Sequence, residues 1–357
     1  MNVKNICVIH LNQVGDLVFS LPLLRALREN YPDSTIHSVV KPYLRDLLTG
    51  SPDVNAVFPR KSGLREKLNL LREIRRNRYD LLISLSNSVE CLLLTALSRA
   101  KRKVGFSNSP WDLCLDLKEK VEGHHGWFNN RKLLKKLDLT VEKDDYVGLV
   151  IPSSPGEGLW DLVESQGFDV GGRYVIISPG TSARRKVKQW EEEKFAEVIV
   201  SLKERYDLNP VLVGGQDNEE LNEKIASIAK EKYNGEGLSM LNLTGRVGLM
   251  DLCSFMKYAS LFVGIDSGIM HLASSMDMAV VGIFGPSDPF YVGPQNERSI
   301  VVREEDVSCA PCYLKGCDDR TCMKEVSVDK VLFACEELMD QFANKSPRIN
   351  SLSPGAP

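Results

Sequence analysis

The stretch Gly-Ile-Asp-Ser-Gly-Ile-Met-His-Leu-Ala at positions 264–273 predicts a buried strand that leads through a small-residue turn into a helix. The apolar run before it ends abruptly at Asp266, and apolar residues at helical spacing follow the turn. A second apolar run, residues 279–284, ends in another tight turn, Gly-Pro-Ser-Asp-Pro. Two strand ends that open at the same edge of a parallel sheet form a ligand crevice.

The turn formed by Asp266, Ser267 and Gly268 has two interpretations. A helix N-terminus leaves backbone N–H groups without partners and carries a partial positive charge, so it suits a phosphate group. Alternatively, Asp266 or Ser267 is an ordinary N-cap. His271 lies about one helical turn further along, where it either contacts a diphosphate or packs in the core.

Short apolar runs alternate with helical patterns along the whole chain, which predicts two doubly wound α/β halves. A turn-rich stretch around residues 153–156 separates them. We therefore expect domains at 1–155 and 156–345, a cleft between their strand ends that binds nucleotides or their derivatives, and a disordered tail at 346–357. Predicted strands lie at 5–11, 35–40, 52–58, 81–85, 174–178, 210–213, 241–243, 261–265 and 279–284. Predicted helices lie at 16–30, 44–48, 63–78, 90–100, 190–206, 218–230, 249–259, 269–276 and 328–343.

Composition narrows the class of protein. The chain has 357 residues and a formal net charge of −3, which indicates no general nucleic-acid binder. It shows neither a secretory signal pattern nor an uninterrupted apolar run of about 18 residues, so we expect a cytoplasmic protein. Four of the nine cysteines cluster in one loop with the spacing Cys-x2-Cys-x4-Cys-x4-Cys, and they either bind zinc or remain reduced thiols. These four are Cys309, Cys312, Cys317 and Cys322.

The first candidate for chemistry follows the first predicted strand, at Gly15 and Asp16. Gly15 permits a tight turn there, and Asp16 lies at the start of the following helix. Its carboxylate either caps the helix or acts as a general base that removes a proton from an acceptor hydroxyl. The Gly-x-Gly-x-x-Gly spacing of a dinucleotide fingerprint is absent.

The second candidate follows the strand that opens the second half. Small residues up to Thr181 and Ser182 precede a basic run that ends at Lys188. Small hydroxyl residues allow close approach to a phosphate, and a lysine supplies the opposing charge. The alternative is a solvated basic loop.

The third candidate is the pair of turns that follow the next two strands. Gly214 and Gly215 precede the acidic residues Asp217 and Glu219, a pattern that resembles ribose-hydroxyl recognition but also fits a plain turn with Asp217 as a helix cap. Thr244 and Gly245 end the following strand and are expected to line the same crevice.

Together these motifs resemble the heptosyltransferases of glycosyltransferase family 9. They occur in the family's order and spacing from residue 6 to about residue 289, whereas Gln13 stands where many members carry Arg. The matching segments are Val14-Gly15-Asp16 with Pro22, Ser178-Pro179-Gly180 through Lys188 and Trp190, Gly214-Gly215, Leu243-Thr244-Gly245, Asp266-Ser267-Gly268 with His271, and Gly285-Pro286-Ser287-Asp288-Pro289.

The resemblance implies a GT-B fold, in which two Rossmann-like domains face a central cleft and the last helix packs back on the first domain. It also implies an inverting transfer of heptose, with no metal or other cofactor required, from ADP-L-glycero-D-manno-heptose to the lipopolysaccharide inner core. A different sugar or acceptor, or a sugar-nucleotide epimerase on the same fold, are the alternatives.

The resemblance further implies roles for individual residues. Asp16 is then the catalytic base and Lys188 binds the donor phosphate. Residues 266–268 and His271 hold the diphosphate and the sugar, and Asp217 or Glu219 meets the ribose.

Basic clusters in the first half suggest where the acceptor binds. Arg72, Arg75, Arg76 and Arg78 form one cluster, and residues 101–103 form another. A phosphorylated lipid acceptor and the anionic inner-membrane surface would both attract them, which implies a peripheral protein at the cytoplasmic face. The alternative is a solvated charged helix, because Glu66 and Glu73 are interspersed.

Overall fold

The computed structural model describes residues 3–108, 110–124, 126–141, 146, 148–235, 237–312 and 316–342, without the side chains of residues 183, 184 and 342. The chain divides into two compact units, Met1–Val150 and Ile151–Pro357. The predicted tail at 346–357 lies outside the described residues.

The first unit contains a six-stranded parallel sheet in the order β3-β2-β1-β4-β5-β6. The strands are β1 Asn5–Ile9, β2 Thr35–Val40, β3 Ala56–Pro59, β4 Leu81–Ser84, β5 Arg102–Phe106 and β6 Leu117–Glu119. The helices are α1 Val14–Val18, α2 Leu21–Asn30, α3 Leu64–Arg76, α4 Val89–Leu97 and α5 Trp127–Lys136, with 3-10 turns at Pro42–Leu48 and Trp111–Cys114.

The second unit repeats this arrangement in the order β12-β11-β10-β7-β8-β9, again with parallel pairs. The strands are β7 Tyr174–Ser178, β8 Asn209–Leu212, β9 Leu241–Asn242, β10 Leu261–Ile265, β11 Val280–Ile283 and β12 Ser299–Val302. The helices are α6 Glu157–Ser165, α7 Glu192–Tyr206, α8 Glu219–Lys232, α9 Leu249–Met256, α10 Gly268–Ser275, α11 Pro289–Val292, α12 Thr321–Lys324 and α13 Val328–Phe342, with 3-10 turns at Ala183–Lys188 and Gln216–Asn218.

Both sheets therefore have the strand order of the Rossmann fold, and the predicted fold class of two doubly wound Rossmann-like domains is confirmed. In each sheet the chain moves outward through three strands and then returns to the centre. The strand order reverses between β1 and β4 in the first unit and between β7 and β10 in the second. Ligands of such sheets bind beyond the carboxyl ends of the strands at this reversal.

The predicted helix at 16–30 is two helices in the structure. α1 ends at Val18, and α2 begins at Leu21 with Pro22 in its first turn. A proline at position 22 cannot donate to the carbonyl of residue 18, and its ring would clash with that carbonyl in a continuous helix. Ser20 lies at the break between the two helices, where its hydroxyl donates a hydrogen bond to the Leu17 carbonyl at 2.6 Å.

Three strands, β5, β6 and β12, and four helices, α5, α6, α11 and α12, were not predicted from the sequence. β5 begins with the basic residues Arg102 and Lys103, β6 has three residues, and β12 lies at the edge of its sheet. Their apolar runs are too short or too charged to show a clear strand period. The helices α5 and α6 lie on either side of the turn-rich stretch near residue 153.

The last helix, α13, packs inside the second unit against α7 and strands β10 to β12. Its apolar face joins the core that Trp190 anchors, and the indole N–H of Trp190 donates to the Val326 carbonyl at 3.0 Å. The expected contact of this helix with the first domain stays a prediction. Among the described residues, no helix is long and apolar enough to cross a membrane.

His10, just after β1, is fully buried between two serines. Its Nδ1 lies 2.8 Å from the Ser20 hydroxyl and its Nε2 lies 3.1 Å from the Ser38 hydroxyl. The Ser20 hydroxyl donates its proton to the Leu17 carbonyl, so its oxygen accepts a hydrogen bond from His10 Nδ1–H. In a neutral imidazole the other nitrogen, Nε2, then accepts from the Ser38 hydroxyl. Burial, together with the charge of Arg60, lowers the pKa of His10 to about 3.

We predict that acid destabilises the first unit through His10. The unfolded chain binds a proton at His10 below pH about 6.5, whereas the folded protein does so only near pH 3, so this contribution is complete above pH 6.5 and is lost as the pH falls. The loss amounts to about 1.4 kcal/mol per pH unit, or roughly 2 kcal/mol at pH 5. Urea unfolding of the native protein and of His10→Gln measures it. Parallel pH profiles for the two proteins would contradict the assignment.

Candidate functional site

A buried ion pair spans the reversal of strand order in the second sheet. Lys188 follows β7 at the end of a 3-10 turn, and Asp266 follows β10 directly. The Lys188 ammonium contacts Asp266 Oδ2, and Asp266 Oδ1 lies 3.4 Å from His271 Nε2. All three side chains are largely buried. Lys188 and the motif that contains Asp266 and His271, which the sequence analysis treated as separate candidates, therefore form one cluster, Lys188–Asp266–His271.

The charge of Asp266 is maintained in spite of its burial. Burial alone would raise the pKa of Asp266, but the Lys188 ammonium and the hydrogen bond and charge of His271 hold that pKa well below its usual range. The carboxylate thus remains ionised and keeps Lys188 and His271 together. The implied contact of residues 266–268 with the diphosphate and the sugar stays a prediction, whereas the contact of Asp266 with Lys188 is visible.

Helix α10 begins at Gly268, two residues after Asp266, and carries His271 in its first turn. Ser267 is its N-cap, because the Ser267 hydroxyl accepts from the Met270 N–H at 3.4 Å. Asp266 is therefore not the cap, and Gly268 is the first helical residue. The first backbone N–H groups of α10 lie at the carboxyl edge of the sheet, where an anion would bind.

A second set of contacts joins the loops after β7 and β8. The Asn218 side chain is buried between them and donates to the Thr181 carbonyl at 3.0 Å. A Cβ atom on Gly180 would lie only 2.4 Å from Asn218 Cγ. Gly180 is thus required by the close approach of Asn218, a residue that the sequence analysis did not single out.

The loops after β8 and β9 are joined in the same way. Asn222 is fully buried and donates to the Val213 carbonyl at 3.2 Å and to the Thr244 hydroxyl at 2.6 Å. Gly245 has φ +67° and donates to the Gly214 carbonyl at 3.0 Å. Thr244 and Gly245 therefore lie beside Gly214, and their lining of one ligand crevice stays a prediction.

The remaining predicted donor residues lie around these contacts. Gly215 and Asp217 are exposed, and Glu219 lies 4.0 Å from the Arg246 guanidinium. Thr181 is half-buried and Ser182 is exposed. A cavity of about 330 Å³ opens beside the loops after β7 and β8. It is lined by Gly180, Thr181, Lys186, Gln189, Glu192, Asp217, Asn218, Glu220, Leu221 and Lys224.

In the first unit, Asp16 lies within α1 after β1, at the reversal of strand order. It is partly exposed and is not the N-cap, which is Gln13. Gly15 lies inside the helix rather than in a tight turn, so that interpretation was wrong. Burial raises the pKa of Tyr43, and the negative charge of Asp16 raises it further.

A charged network lies next to this loop and was not predicted. Arg60 is buried, contacts the Asn12 side chain, and lies 3.2 Å from Glu90. Glu90 also lies 3.1 Å from Lys67. The sequence did not predict this network because its members are far apart along the chain. They come from α3 and α4 and from the loops that follow β1 and β3.

The segment that carries the four clustered cysteines lies against the turn after β11, and Cys322 lies in helix α12 rather than in a loop. The Cys312 N–H donates to the Pro286 carbonyl at 2.9 Å, and Cys322 is buried against Gly285. Burial raises the pKa of the Cys322 thiol, and the neighbouring cysteines raise it further. No group of three or more His, Cys, Asp or Glu side chains within the described part of the chain is arranged to hold a metal ion.

Two Rossmann-like units, one with a polar cluster of cations and small residues at its strand ends, define an α/β protein of the nucleotide-binding type. The model of glycosyltransferase family 9 (heptosyltransferase) matches residues 67–322, and the chain belongs to this family. The resemblance found in the motifs is thereby confirmed.

Relatives in sequence agree with this membership, and solved structures share the fold. The chain is 25% identical over 348 residues to lipopolysaccharide heptosyltransferase 3 of Escherichia coli K12, covering 94% of this chain and 98% of that protein. It resembles the structure of E. coli ADP-heptose lipopolysaccharide heptosyltransferase II, with a TM-score of 0.75, 22% identity and coverage of 95% and 100%. The E. coli heptosyltransferase WaaC, solved with ADP, gives a TM-score of 0.68 at 19% identity, with coverage of 94% and 100%. The structural likenesses show a shared fold.

We predict that Gly180→Ala destabilises the second unit through Asn218. The new methyl group would overlap Asn218, and overpacking of this kind costs about 1–3 kcal/mol. Adding Asn218→Ala removes the overlapping side chain. The double variant should therefore lose less free energy of unfolding than the two single variants lose in sum. Urea unfolding measures the cycle.

The matched control is Gly158→Ala in α6, where a Cβ atom meets nothing within 4 Å. That change should leave stability unaltered or slightly raised. Strict additivity of Gly180→Ala and Asn218→Ala would show that the contact does not constrain the two loops.

Proposed function

We propose that this protein transfers heptose from an ADP-linked donor to the inner core of lipopolysaccharide. The observation that carries the proposal is the Lys188–Asp266–His271 cluster at the strand reversal of a family 9 chain. Relatives named as lipopolysaccharide heptosyltransferases, and a solved relative that holds ADP, support the choice of donor and acceptor.

The donor diphosphate binds at the carboxyl edge of the second sheet in this proposal. As ADP departs, negative charge develops on its phosphates, and preorganised positive groups stabilise it. Lys188 and the N-terminus of α10 at Ser267 and Gly268 supply that charge. Asp266 holds Lys188 in place before the donor arrives, and His271 contacts the diphosphate or the sugar. With these groups, the transfer proceeds without a metal or other cofactor.

The nucleoside end binds beside the loops after β8 and β9. We assign the ribose hydroxyls to Asp217 or Glu219, since carboxylates accept hydrogen bonds from hydroxyl groups. Gly214, Gly215, Thr244 and Gly245 bring backbone close to the ligand, and Asn218 and Asn222 hold these loops together. Thr181 and Ser182 complete the polar surface on the other side.

Asp16 is the general base in the proposal. It deprotonates the attacking hydroxyl of the acceptor, which inverts the configuration at the anomeric carbon in a single displacement. Because the acceptor is part of a lipid, we place the protein at the cytoplasmic face of the inner membrane as a peripheral protein. The exposed basic residues of α3 attract the phosphates of such an acceptor.

A transfer assay tests the proposal directly. The purified protein is incubated with ADP-heptose and defined truncated core acceptors, and the product is identified by mass spectrometry. Addition of one heptose is the expected result. Transfer only from another nucleotide sugar, or only to a different acceptor, would overturn the assignment within the family. Conversion of the free nucleotide sugar without an acceptor, followed by NMR, would indicate an epimerase.

We predict that Asp16→Ala abolishes transfer but leaves donor binding intact. Loss of a general base lowers turnover by about 10²–10⁴-fold, whereas donor binding involves residues of the second unit. Single-turnover assays and calorimetric titration with ADP-heptose separate the two effects. Asp33→Asn, an exposed residue between α2 and β2 at the opposite edge of the sheet, is the control. Normal turnover of Asp16→Ala would eliminate it as the base.

For Lys188→Ala, we predict that ADP binds about 10–100-fold more weakly. A charge-assisted hydrogen bond contributes about 1.5–3 kcal/mol, and its loss also leaves the buried Asp266 carboxylate without its ammonium partner. Calorimetric titration with ADP measures the change. Lys232→Ala is the matched control, because Lys232 lies at the end of α8, 3.8 Å from Glu197. An unchanged dissociation constant for Lys188→Ala would remove this lysine from the donor site.

A further inference from the structure

Helix α4 in the first unit presents an apolar face to solvent. Val89, Leu93 and Leu97 are spaced by four residues and therefore lie along one side of the helix, where they are 38%, 46% and 47% exposed. The only charged residue of α4 is Glu90, and its carboxylate is bound by Arg60 and Lys67. The outer side of α4 thus carries no charge of its own.

The 3-10 turn Trp111–Cys114 extends this face. Cys114 Sγ lies 3.5 Å from the Leu92 carbonyl, so the turn packs against α4. Its two large apolar side chains point away from the core, since Trp111 is 50% exposed and Leu113 is 86% exposed. We call the set Val89, Leu93, Leu97, Trp111 and Leu113 the outer apolar face.

Basic residues lie at both ends of helix α4, next to the outer apolar face. Residues 60–120 include fourteen Lys and Arg against seven Asp and Glu, although the whole chain carries a net charge of −3. Arg75 donates to the Leu97 carbonyl at 2.7 Å, and the exposed Arg99 follows α4 directly. At the other end of the helix, Lys67 lies beside Glu90.

We propose that the outer apolar face binds the surface of an anionic lipid bilayer. Exposed apolar side chains that include a tryptophan, with basic residues at both ends of the helix, match the boundary between lipid headgroups and acyl chains. A second copy of this chain is a poorer partner for the same face, because it would bring two positively charged regions together. The proposal extends the proposed function and rests on it, because the acceptor of that function is part of a lipid.

Co-sedimentation of the full chain with lipid vesicles tests the proposal. The protein should bind vesicles of phosphatidylcholine mixed with phosphatidylglycerol, and bind vesicles of phosphatidylcholine alone at least tenfold more weakly. Binding should decrease as salt is added, because the basic residues contribute through screened charge. Equal binding to both vesicle types, or binding to neither, would overturn the proposal.

Substitutions identify the surface that binds. The double variant Leu93→Glu/Leu97→Glu should weaken vesicle binding at least tenfold and keep the unfolding midpoint, because both side chains are exposed. The matched control is Phe333→Glu on α13, which changes another side chain, 68% exposed, in the second unit. Equal loss in the control, or full binding by the double variant, would show that a different surface contacts lipid.

Two further measurements separate this proposal from its alternatives. Transfer to a water-soluble core acceptor should be unchanged in Leu93→Glu/Leu97→Glu. If the native protein shows no heptose transfer yet still binds anionic vesicles through this face, the proposed function fails and the surface assignment stands. A dimer of the native chain in sedimentation velocity that Leu93→Glu/Leu97→Glu abolishes would overturn the lipid assignment in favour of self-association.

Discussion

The second unit depends on one buried ion pair, Lys188 with Asp266. Strands β7 and β10 lie side by side in the sheet but come from distant parts of the chain, and this pair ties the loops that follow them. A buried charge is costly unless it is paired, so each partner requires the other. The constraint explains why a carboxylate stands at a place suited to phosphate. Asp266 compensates Lys188 and His271, and α10 can then begin at Gly268 beside them.

A second constraint follows from how closely the neighbouring loops approach. Asn218 and Asn222 lie one helical turn apart at the start of α8. Together they contact the loops after β7, β8 and β9. Asparagine suits this task because one amide donates to a carbonyl while occupying little volume. The glycines of these loops follow from the same packing. Gly180 leaves room for Asn218, which indicates that the loop conformations are set before any ligand binds.

The sequence predicted the central strands well and the edges poorly. β7 and β10 consist almost entirely of apolar residues and are fully buried, a pattern that predicts central strands of a parallel sheet. β5 and β12 mix charge with short apolar stretches and were missed. In the site, motifs with glycine, serine or a lone charge were found, whereas Asn218, Asn222 and Arg60 were not. Their importance comes from partners 9 to 48 residues away in the sequence, and no local pattern encodes such contacts.

The basic residues of α3 show how structure divides one sequence feature into several roles. Read along the chain, residues 60–78 are a single charged segment that fits either a solvated helix or an anion-binding surface. In the fold, Arg60 is buried and Lys67 pairs with Glu90, while Arg75 caps the carbonyl end of α4. These three have structural partners. The other exposed basic residues of the segment are Lys61, Arg65, Arg72, Arg76 and Arg78, of which Arg76 pairs with Glu73 at 3.7 Å. Charge available to an anionic acceptor or membrane therefore comes from these residues rather than from the segment as a whole.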